Sequence, residues 1–365
     1  MPDLAEIFRL HAAAYRQTCG VRLLPSQERV LRDLSLCRTA HFGGHLLQCP
    51  HCSQTHYRYH SCQNRHCPQC QQPHTQRWLQ RQQDRLLPGD YYLITATLPA
   101  ELRALARVRQ KKVYGLLLQA AGGAILALTK DPRYLGATPG LLGVIHTWTR
   151  ALLYHPHVHF LVSAAGVDTD GSWIGPKHPH FLVPVRALSR LVRAKFRAAL
   201  RRQGDAFETI PPGVWTKEWV VHCQPAGSGK KVLPYLARYL HRVAISNHRI
   251  ESLHDGRVTF RYRDNRTQQI RHVTLPAEEF IGRFLQHVLP RRFCKVRAYG
   301  LWSPRYRRIL QQLRARATLP AAATEEPPSP NATPSTAETL RGRCPFCHQG
   351  PLLVIRTLAR KRGPP

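Results

Sequence analysis

The chain has 365 residues, enough for two or three domains with a sizeable core. Its 54 Lys and Arg against 21 Asp and Glu give a formal net charge of +33 and a pI near 10.7. This excess favours a polyanionic partner, with nucleic acid first, over a protein that is merely basic and soluble. No signal-peptide pattern opens the chain and no run of about 18 or more apolar residues stands out, so we expect a cytoplasmic protein outside any membrane.

The order of apolar and polar residues predicts an α+β protein with a central sheet flanked by helices. An N-terminal helical segment, 1–36, precedes a module, 37–75, that is rich in Cys, His and Gln and too poor in apolar residues for an ordinary core. One larger domain follows over 76–315. Within it we predict strands at 91–98, 143–148, 158–164, 215–222 and 258–262, and helices at 99–128 (one or two, with a break at Gly122-Gly123), 188–202 and 276–288.

The last part of the chain has a different composition. Residues 316–343 are dominated by Ala, Thr, Pro, Ser and Glu, and we predict a disordered linker there because such a segment cannot bury enough apolar surface. Residues 344–365 form a short basic tail that contains the cysteine pair Cys344 and Cys347. This pair has no partner pair nearby in the sequence, and His348 could add one ligand.

Seven of the 11 cysteines lie between Cys19 and Cys70, which is typical of metal binding in a chain without a leader. Two Cys-Pro-x-Cys motifs separated by 14 residues predict one tetrahedral structural zinc site; its ligands would be Cys49, Cys52, Cys67 and Cys70. Four further residues of the same module either complete a second zinc site or serve as a buried thiol, supporting imidazoles or DNA contacts: Cys37, His45, Cys62 and His66.

A His-x-His pair stands inside an apolar run. On a β-strand, residues i and i+2 point to the same face, so His157 and His159 would present two imidazoles to one divalent metal ion. A bare His-x-His is common and is also found in purely structural settings. We expect a third ligand and rank His146, on the preceding predicted strand, ahead of His155 and His241.

A pair of tyrosines follows at helical spacing. Tyr235 and Tyr239 lie at i and i+4, on one face of a predicted short helix. Aromatic packing would explain such a pair, but the basic flanks, which include Lys230 and Arg238, suit a phosphate better. A phenol has an ordinary pKa near 10, and a metal at the histidine pair would lower the barrier to its attack on a scissile phosphate.

Together these motifs resemble the rolling-circle insertion-sequence transposases of the HUH (His-hydrophobic-His) class, in the branch with paired tyrosines and an N-terminal zinc-binding domain. The resemblance covers most of residues 5–315. It is carried by Cys37-Arg38-Thr39, Gly43-Gly44-His45, Ser61 to Cys70, Thr97-Leu98-Pro99, His146-Thr147-Trp148, His155 to His159, Tyr235 to Asn247 and Arg297 to Leu301.

The resemblance implies a catalytic domain over 76–315 with an HUH-type antiparallel sheet. It implies Mg²⁺ or Mn²⁺ on His157 and His159, and attack by Tyr235 and Tyr239 on single-stranded DNA at the ends of a mobile element, leaving a 5′-phosphotyrosine and a free 3′-hydroxyl. Two other functions stay open at this point. One is a replication or mobilisation nickase with the same chemistry, and the other is a non-catalytic, zinc-dependent DNA-binding protein.

Overall fold

A computed structural model describes residues 2–361 apart from 19–22, 71, 84, 179, 205–206, 229–231, 234–243, 265 and 316–339. Tyr235, Tyr239 and His241 lie outside the described residues, and so does most of the predicted linker. The linker's last residues are described and differ from the prediction, because Leu340–Arg343 is a β-strand rather than part of a disordered segment.

The N-terminal part consists of helices and a short hairpin. Its elements are helix α1 (Leu4–Thr18), helix α2 (Pro25–Ser35), strands β1 (Gly44–Gln48) and β2 (Thr55–Tyr59), and helix α3 (Gln72–Gln83). Both α1 and α2 pack against a later helix, α7 (Ala277–Leu285). The predicted N-terminal helical segment is therefore two helices, and their apolar faces form part of a core shared with the second half of the chain.

The centre of the molecule is an antiparallel sheet, as predicted. Its strands are β3 (Asp90–Thr97), β4 (Thr138–Trp148), β5 (Tyr154–Val167), β6 (Trp173–Ile174), β7 (Val221–Ser228) and β11 (Val296–Gly300). They lie in the order β11-β4-β5-β3-β7, with β6 beside β5, and every pairing is antiparallel. Strand β5 lies between β4 and β3, and its second half, from Phe160, carries apolar residues on both faces, which suits a strand covered on both sides.

Helices cover both faces of this sheet. The core on one face includes buried residues of α5 (Gln110–Thr129) and α6 (Val185–Arg201) together with Val158, Phe160 and Val162 of β5. Residues of α3 and of α8 (Arg307–Ala315) pack on the other face, beside Leu161. Helix α4 (Arg103–Val108) precedes α5. The α+β prediction is confirmed by this arrangement.

A smaller sheet extends the molecule towards the N-terminal helices. It contains β8 (Ile250–His254), β9 (Arg257–Arg263) and β10 (Ile270–Pro276), in the order β10-β9-β8, and α7 follows it directly. Two more strands come from the chain's last described segment, β12 (Leu340–Arg343) and β13 (Pro351–Leu358). They join β1 and β2 in a separate sheet of order β12-β13-β1-β2.

Two predicted elements are wrong in detail. Residues 212–215 form a 3₁₀ turn, and the strand predicted at 215–222 begins only at Val221. Trp215 and Trp219 pack into the core, where Trp219 donates from Nε1 to the carbonyl of Val214 at 3.0 Å. Helix α5 runs unbroken through Gly122, where a Cβ would lie 3.1 Å from the ring of Tyr299, so a larger residue would require that ring to shift.

Among the described residues, one helix meets the length and composition expected of a membrane span, contrary to what the sequence led us to expect. This helix is α5, and its most apolar window is 67% buried within the fold. It lies against the central sheet as a core helix.

Candidate metal centre and nucleic-acid interface

Three imidazoles meet on one face of the central sheet. Strands β4 and β5 pair so that His146 lies opposite His157, while His159 follows two residues later on the same face. Their candidate ligand nitrogens all lie within 4.8 Å of one another. The ring centroid of His146 is 5.4 Å from that of His157 and 4.8 Å from that of His159. The antiparallel register therefore supplies a third imidazole beside the His-x-His pair.

Hydrogen bonds orient two of the three rings of this cluster. His157 donates from Nδ1 to the carbonyl of His155 at 2.7 Å, which leaves Nε2 of His157 with its lone pair. On the next strand, Thr95 Oγ1 lies 2.9 Å from Nδ1 of His159. Burial lowers the pKa of His157 to about 4 and that of His159 to about 3. Both rings are therefore neutral at pH 7, the state in which imidazole binds metals.

The other histidine candidates are placed differently. His155 lies on the same strand face, but Arg103 donates to its Nδ1 at 2.8 Å and it is not one of the three converging imidazoles. His241 lies outside the described residues.

A lysine that we did not predict lies beside the cluster. The ring of His146 stacks on Trp148 with centroids 5.0 Å apart, and Nζ of Lys295 lies 5.0 Å from the Trp148 ring centroid. Burial lowers the pKa of Lys295 to about 7. No local sequence motif marks Lys295, which follows Trp148 by 147 positions in the sequence. The pairing of β11 with β4 brings the two residues together.

A basic cavity of about 630 Å³ opens next to Trp148. Four arginines and an aromatic residue contribute to its lining: Arg150, Arg249, Arg261, Arg263 and Tyr262. Cationic groups next to exposed aromatic rings are typical of surfaces that bind single-stranded nucleic acid, where phosphates contact the cations and bases stack. The Arg-Tyr-Arg run of strand β9 is the sequence signal from which this cavity could have been predicted, and we did not predict it.

The N-terminal module contains a cluster of four cysteines, Cys37, Cys62, Cys67 and Cys70. The Sγ atom of Cys37 lies 3.7 Å from that of Cys67 and 3.6 Å from that of Cys70. These distances are close to the edge of about 3.8 Å of a tetrahedron with Zn–S bonds of about 2.3 Å. Four thiols at this spacing fit a structural zinc ion.

The predicted grouping of the two Cys-Pro-x-Cys motifs is wrong. Cys49 and Cys52 do not meet Cys67 and Cys70 but lie with Cys344 and Cys347 of the tail. Each pair is one half of a site, and a spacing of 14 residues does not establish that two halves belong together. Cys37 and Cys62, which we considered for a second site, belong with Cys67 and Cys70.

His45 and His66 are not among these clusters. His66 is buried, and its Nε2 accepts a hydrogen bond from the backbone N–H of Leu289 at 3.2 Å. Its neighbour Arg65 donates to the carbonyls of Leu289, Pro290 and Phe293, so both side chains attach the module to the larger domain. His45 packs edge-on against the ring of His60, with centroids 4.9 Å apart.

Comparisons with known proteins agree with this architecture. Residues 140–309, which contain the three histidines, match the model of a family described as "Putative transposase". Residues 7–98 match the model of a family described as "Transposase zinc-binding domain". No solved structure matches the chain.

Two curated proteins illustrate the likeness. A "Putative transposase y4qJ" of Sinorhizobium fredii is 39% identical, over 100% of this chain and 97% of that protein. The "Transposase for insertion sequence element IS801" of Pseudomonas savastanoi pv. phaseolicola is 29% identical, over 79% of this chain and 74% of that protein. By the two domain matches and the full-length likeness, the chain belongs to the IS91 family of rolling-circle transposases that carry an N-terminal zinc-binding domain.

Proposed function

We propose that this transposase cleaves and rejoins single-stranded DNA at the ends of its insertion sequence, with Tyr235 and Tyr239 as nucleophiles and a divalent metal ion held by His146, His157 and His159. The observation that carries the proposal is the convergence of three imidazoles on one sheet face, within 4.8 Å. A replication or mobilisation nickase would use the same chemistry without transposition. Both relatives described above are named transposases, which favours a transposase over a nickase.

The three histidines fit a divalent cation. Buried, neutral imidazoles offer nitrogen lone pairs and no charge, a donor set that suits Mn²⁺ and Zn²⁺ better than the oxygen-loving Mg²⁺. When bound, the ion would polarise the scissile phosphate and offset its negative charge. The chain's own contribution is to orient the ligands: His157 through the carbonyl of His155, and His159 through Thr95.

Residues on both sides of the tyrosine segment support its role. Val232 and Leu233 are buried in one apolar cluster with Leu142, Val144 and Leu161, which lie on the sheet face that carries the histidines. After the segment, Ala244 and Ile245 line the basic cavity together with Trp148. The residues that flank the tyrosine segment thus lie on the histidine face of the sheet or beside Trp148, within a few positions of each tyrosine.

The proposed strand exchange needs no cofactor as an energy source, because one P–O bond forms for each P–O bond that breaks. The phenolic oxygen of a tyrosine attacks phosphorus, a new P–O bond forms, and the bond to the 3′ oxygen breaks. The proton lost by the phenol is matched by the proton gained by the departing 3′-hydroxyl. The 5′-phosphotyrosine keeps the energy of the phosphodiester, so a 3′-hydroxyl can reverse the step on the same or another strand. The basic cavity would hold the strand during this exchange.

A covalent-adduct assay tests the proposal. The protein is incubated with labelled single-stranded DNA from the element's ends and with Mg²⁺, Mn²⁺ or Zn²⁺, and the products are separated on denaturing gels. We expect a metal-dependent protein–DNA band that is lost in the Tyr235→Phe/Tyr239→Phe variant and reduced at least about 100-fold in His157→Ala. The single tyrosine variants show whether one or both phenols attack.

His155→Ala is the matched control, because His155 lies on the same strand and face but outside the converging cluster. It should keep the metal-dependent adduct. An adduct that survives the double tyrosine substitution would overturn the nucleophile assignment. Tight DNA binding without any adduct, for all end sequences and metals, would instead favour a non-catalytic DNA-binding protein.

A further inference from the structure

The small sheet at the edge of the molecule is built from two hairpins that are far apart in the sequence. One hairpin is β1–β2 and the other is β12–β13, and they join through antiparallel pairing of β1 with β13. The pairing extends along all of β1, from Gly44 opposite Leu358 to Gln48 opposite Leu353. The backbone of the tail continues past this sheet, where Lys361 donates its N–H to the carbonyl of His41 at 3.0 Å.

The two hairpins have the same turn. Each turn is a Cys-Pro-x-Cys motif, Cys49 to Cys52 in one hairpin and Cys344 to Cys347 in the other. In each, the residue after the second cysteine donates its N–H to the carbonyl of the first, at 2.9 Å for Ser53 and 3.0 Å for His348. That residue also has a positive φ, 56° for Ser53 and 57° for His348. The turns are thus two copies of one thiol-presenting structure.

The four thiols of these turns converge. Cys49 Sγ lies 3.6 Å from Cys347 Sγ, and Cys52 Sγ lies 3.6 Å from Cys344 Sγ. All four Sγ atoms lie within 4.8 Å of one another. A disulfide would need sulfurs about 2.05 Å apart, and the observed distances are those of a tetrahedral zinc site instead.

Apolar packing alone cannot hold this sheet together. Among the described side chains, its buried core consists of Leu47, Leu352, Cys49 and Cys344, with Val354 and the other two cysteines partly buried against it. A core of this size is far below what a small module needs, and natural modules of this size add a metal or disulfides. The two turns also touch closely, since a Cβ at Gly350 would lie 2.8 Å from the ring of His51.

We propose that Cys49, Cys52, Cys344 and Cys347 bind a second structural zinc ion, in a zinc ribbon assembled from two hairpins whose cysteines are 292 and 298 residues apart. The zinc-binding family match ends at residue 98 and contains only half of these ligands. The ion joins the tail to the hairpin β1–β2 of the N-terminal module. This site is separate from the cluster of Cys37, Cys62, Cys67 and Cys70.

Zinc content tests the stoichiometry. The full-length His157→Ala/His159→Ala protein is the background for all variants, because it removes two ligands of the candidate histidine site. After purification in the presence of zinc and removal of loosely bound metal, this background protein should contain two zinc ions by elemental analysis. The Cys344→Ser/Cys347→Ser variant should contain one, because the other cluster is intact. Cys223→Ser/Cys294→Ser removes two thiols outside both clusters and should still contain two. Equal zinc content in all three proteins would overturn the proposal.

A cleavage experiment tests the connection itself. A specific protease site is inserted into the segment 316–339 of the full chain, and the protein is cut and passed over a size-exclusion column. The C-terminal fragment should co-elute with the rest of the protein and should separate after a zinc chelator is added. In the Cys344→Ser/Cys347→Ser variant it should separate without chelator. A fragment that leaves the zinc-loaded, unmutated protein as soon as the chain is cut would contradict the proposal.

Discussion

Thr95 is placed to orient one ring of the histidine cluster. Its Oγ1 lies 2.9 Å from Nδ1 of His159, and accepting that N–H would direct Nε2 of the ring towards the other two imidazoles. We expect Thr95→Val to weaken Mn²⁺ binding about 10–100-fold, since partners that orient metal ligands are typically worth that much. Calorimetric titration of the protein with Mn²⁺ measures the effect.

Thr97→Val is the control for this prediction. Thr97 lies on the same strand, two residues further, and pairs with His157 rather than His159 in the register. His157 is already oriented by a backbone carbonyl, so the substitution should leave Mn²⁺ affinity within about twofold. An equal loss in both variants would show that the hydroxyl of Thr95 has no special part in orienting the ring.

We expect the buried His287 to contribute to the acid sensitivity of the fold. The side chain is 3% exposed, and burial lowers its pKa to about 4 from an ordinary 6.5. As the pH falls, the imidazole is protonated in the unfolded chain before it is protonated in the folded protein. The contribution of His287 to the free energy of unfolding is therefore constant above pH 6.5 and falls between pH 6.5 and 4. Below pH 4 the total loss in the free energy of unfolding is on the order of 3 kcal/mol. Its Nε2 donates to the carbonyl of Leu152 and its Nδ1 faces the hydroxyl of Thr147, each at 3.3 Å.

Removing the titrating group should flatten the pH dependence. In His287→Gln the side chain no longer matches the hydrogen-bond partners Leu152 and Thr147. We expect its free energy of unfolding at pH 7.5 to be about 1 kcal/mol lower than that of the unmutated chain. Between pH 6.5 and 4, however, it should lose stability less steeply. Denaturant unfolding at several pH values compares the two proteins, and parallel curves would exclude His287 as the acid-sensitive group.

At the level of elements, the pairing of β4 with β5 depends on a glycine, whose lack of a Cβ leaves room for an aromatic ring. Gly143 lies opposite Phe160, and a Cβ at Gly143 would lie 2.5 Å from Cε1 of that fully buried ring. Gly143→Ala should therefore destabilise the fold by about 1–3 kcal/mol through overpacking. It should also shift the strand that carries His146 and weaken metal binding.

Gly213→Ala provides the comparison, because a Cβ there meets no atom within 4 Å. Denaturant unfolding and the Mn²⁺ titration are run on both variants. If Gly143→Ala is as stable as Gly213→Ala, the ring of Phe160 moves aside without cost, and the glycine is not required by the sheet.

The elements also show which parts of the site the sequence could predict. The His-x-His pair was predictable because the alternation of a strand is a local property, and the apolar run around it indicated a buried strand. The third imidazole followed once the preceding strand was placed next to it. Lys295 was out of reach, because its position depends on the pairing of β11 with β4, which no short pattern specifies.

For the cysteines, the local motif was predictable from the sequence and the long-range pairing of the motifs was not. Each Cys-Pro-x-Cys turn is local and was predicted, but which turns share a metal depends on the pairing of β1 with β13. Proximity in the sequence favoured Cys67 and Cys70 as partners of Cys49 and Cys52, and the structure places them in different clusters. His66 was misassigned for a related reason, since the backbone N–H that it accepts from belongs to Leu289.

At the scale of the whole molecule, the charge of +33 predicts a DNA affinity that falls steeply with salt. Each phosphate contact to single-stranded DNA contributes about 0.7 to the slope of log K against log salt. If Arg150 and Arg263 of the cavity contact phosphates, Arg150→Gln/Arg263→Gln should reduce the slope by about 1.4. Fluorescence anisotropy with a labelled oligonucleotide, from low to moderate salt, measures the slope.

A charge-matched control separates contact from general attraction. Arg16→Gln/Arg283→Gln removes the same net charge from two arginines that form ion pairs with glutamates at 2.6 Å elsewhere on the protein. Its slope should match that of the unmutated chain. Equal reductions in both double variants would mean that the strand is attracted by overall charge and does not contact the cavity.

The sheet that the tail shares with hairpin β1–β2 also has a consequence for synthesis. Cys344 follows Cys52 by 292 positions, and at roughly 5–20 residues per second a ribosome needs roughly 15–60 s to reach it. Throughout that interval strand β1 has no partner on the side later covered by β13. A message that is cut short after residue 315 would still encode the three histidines and both tyrosines, yet its product could never complete this sheet.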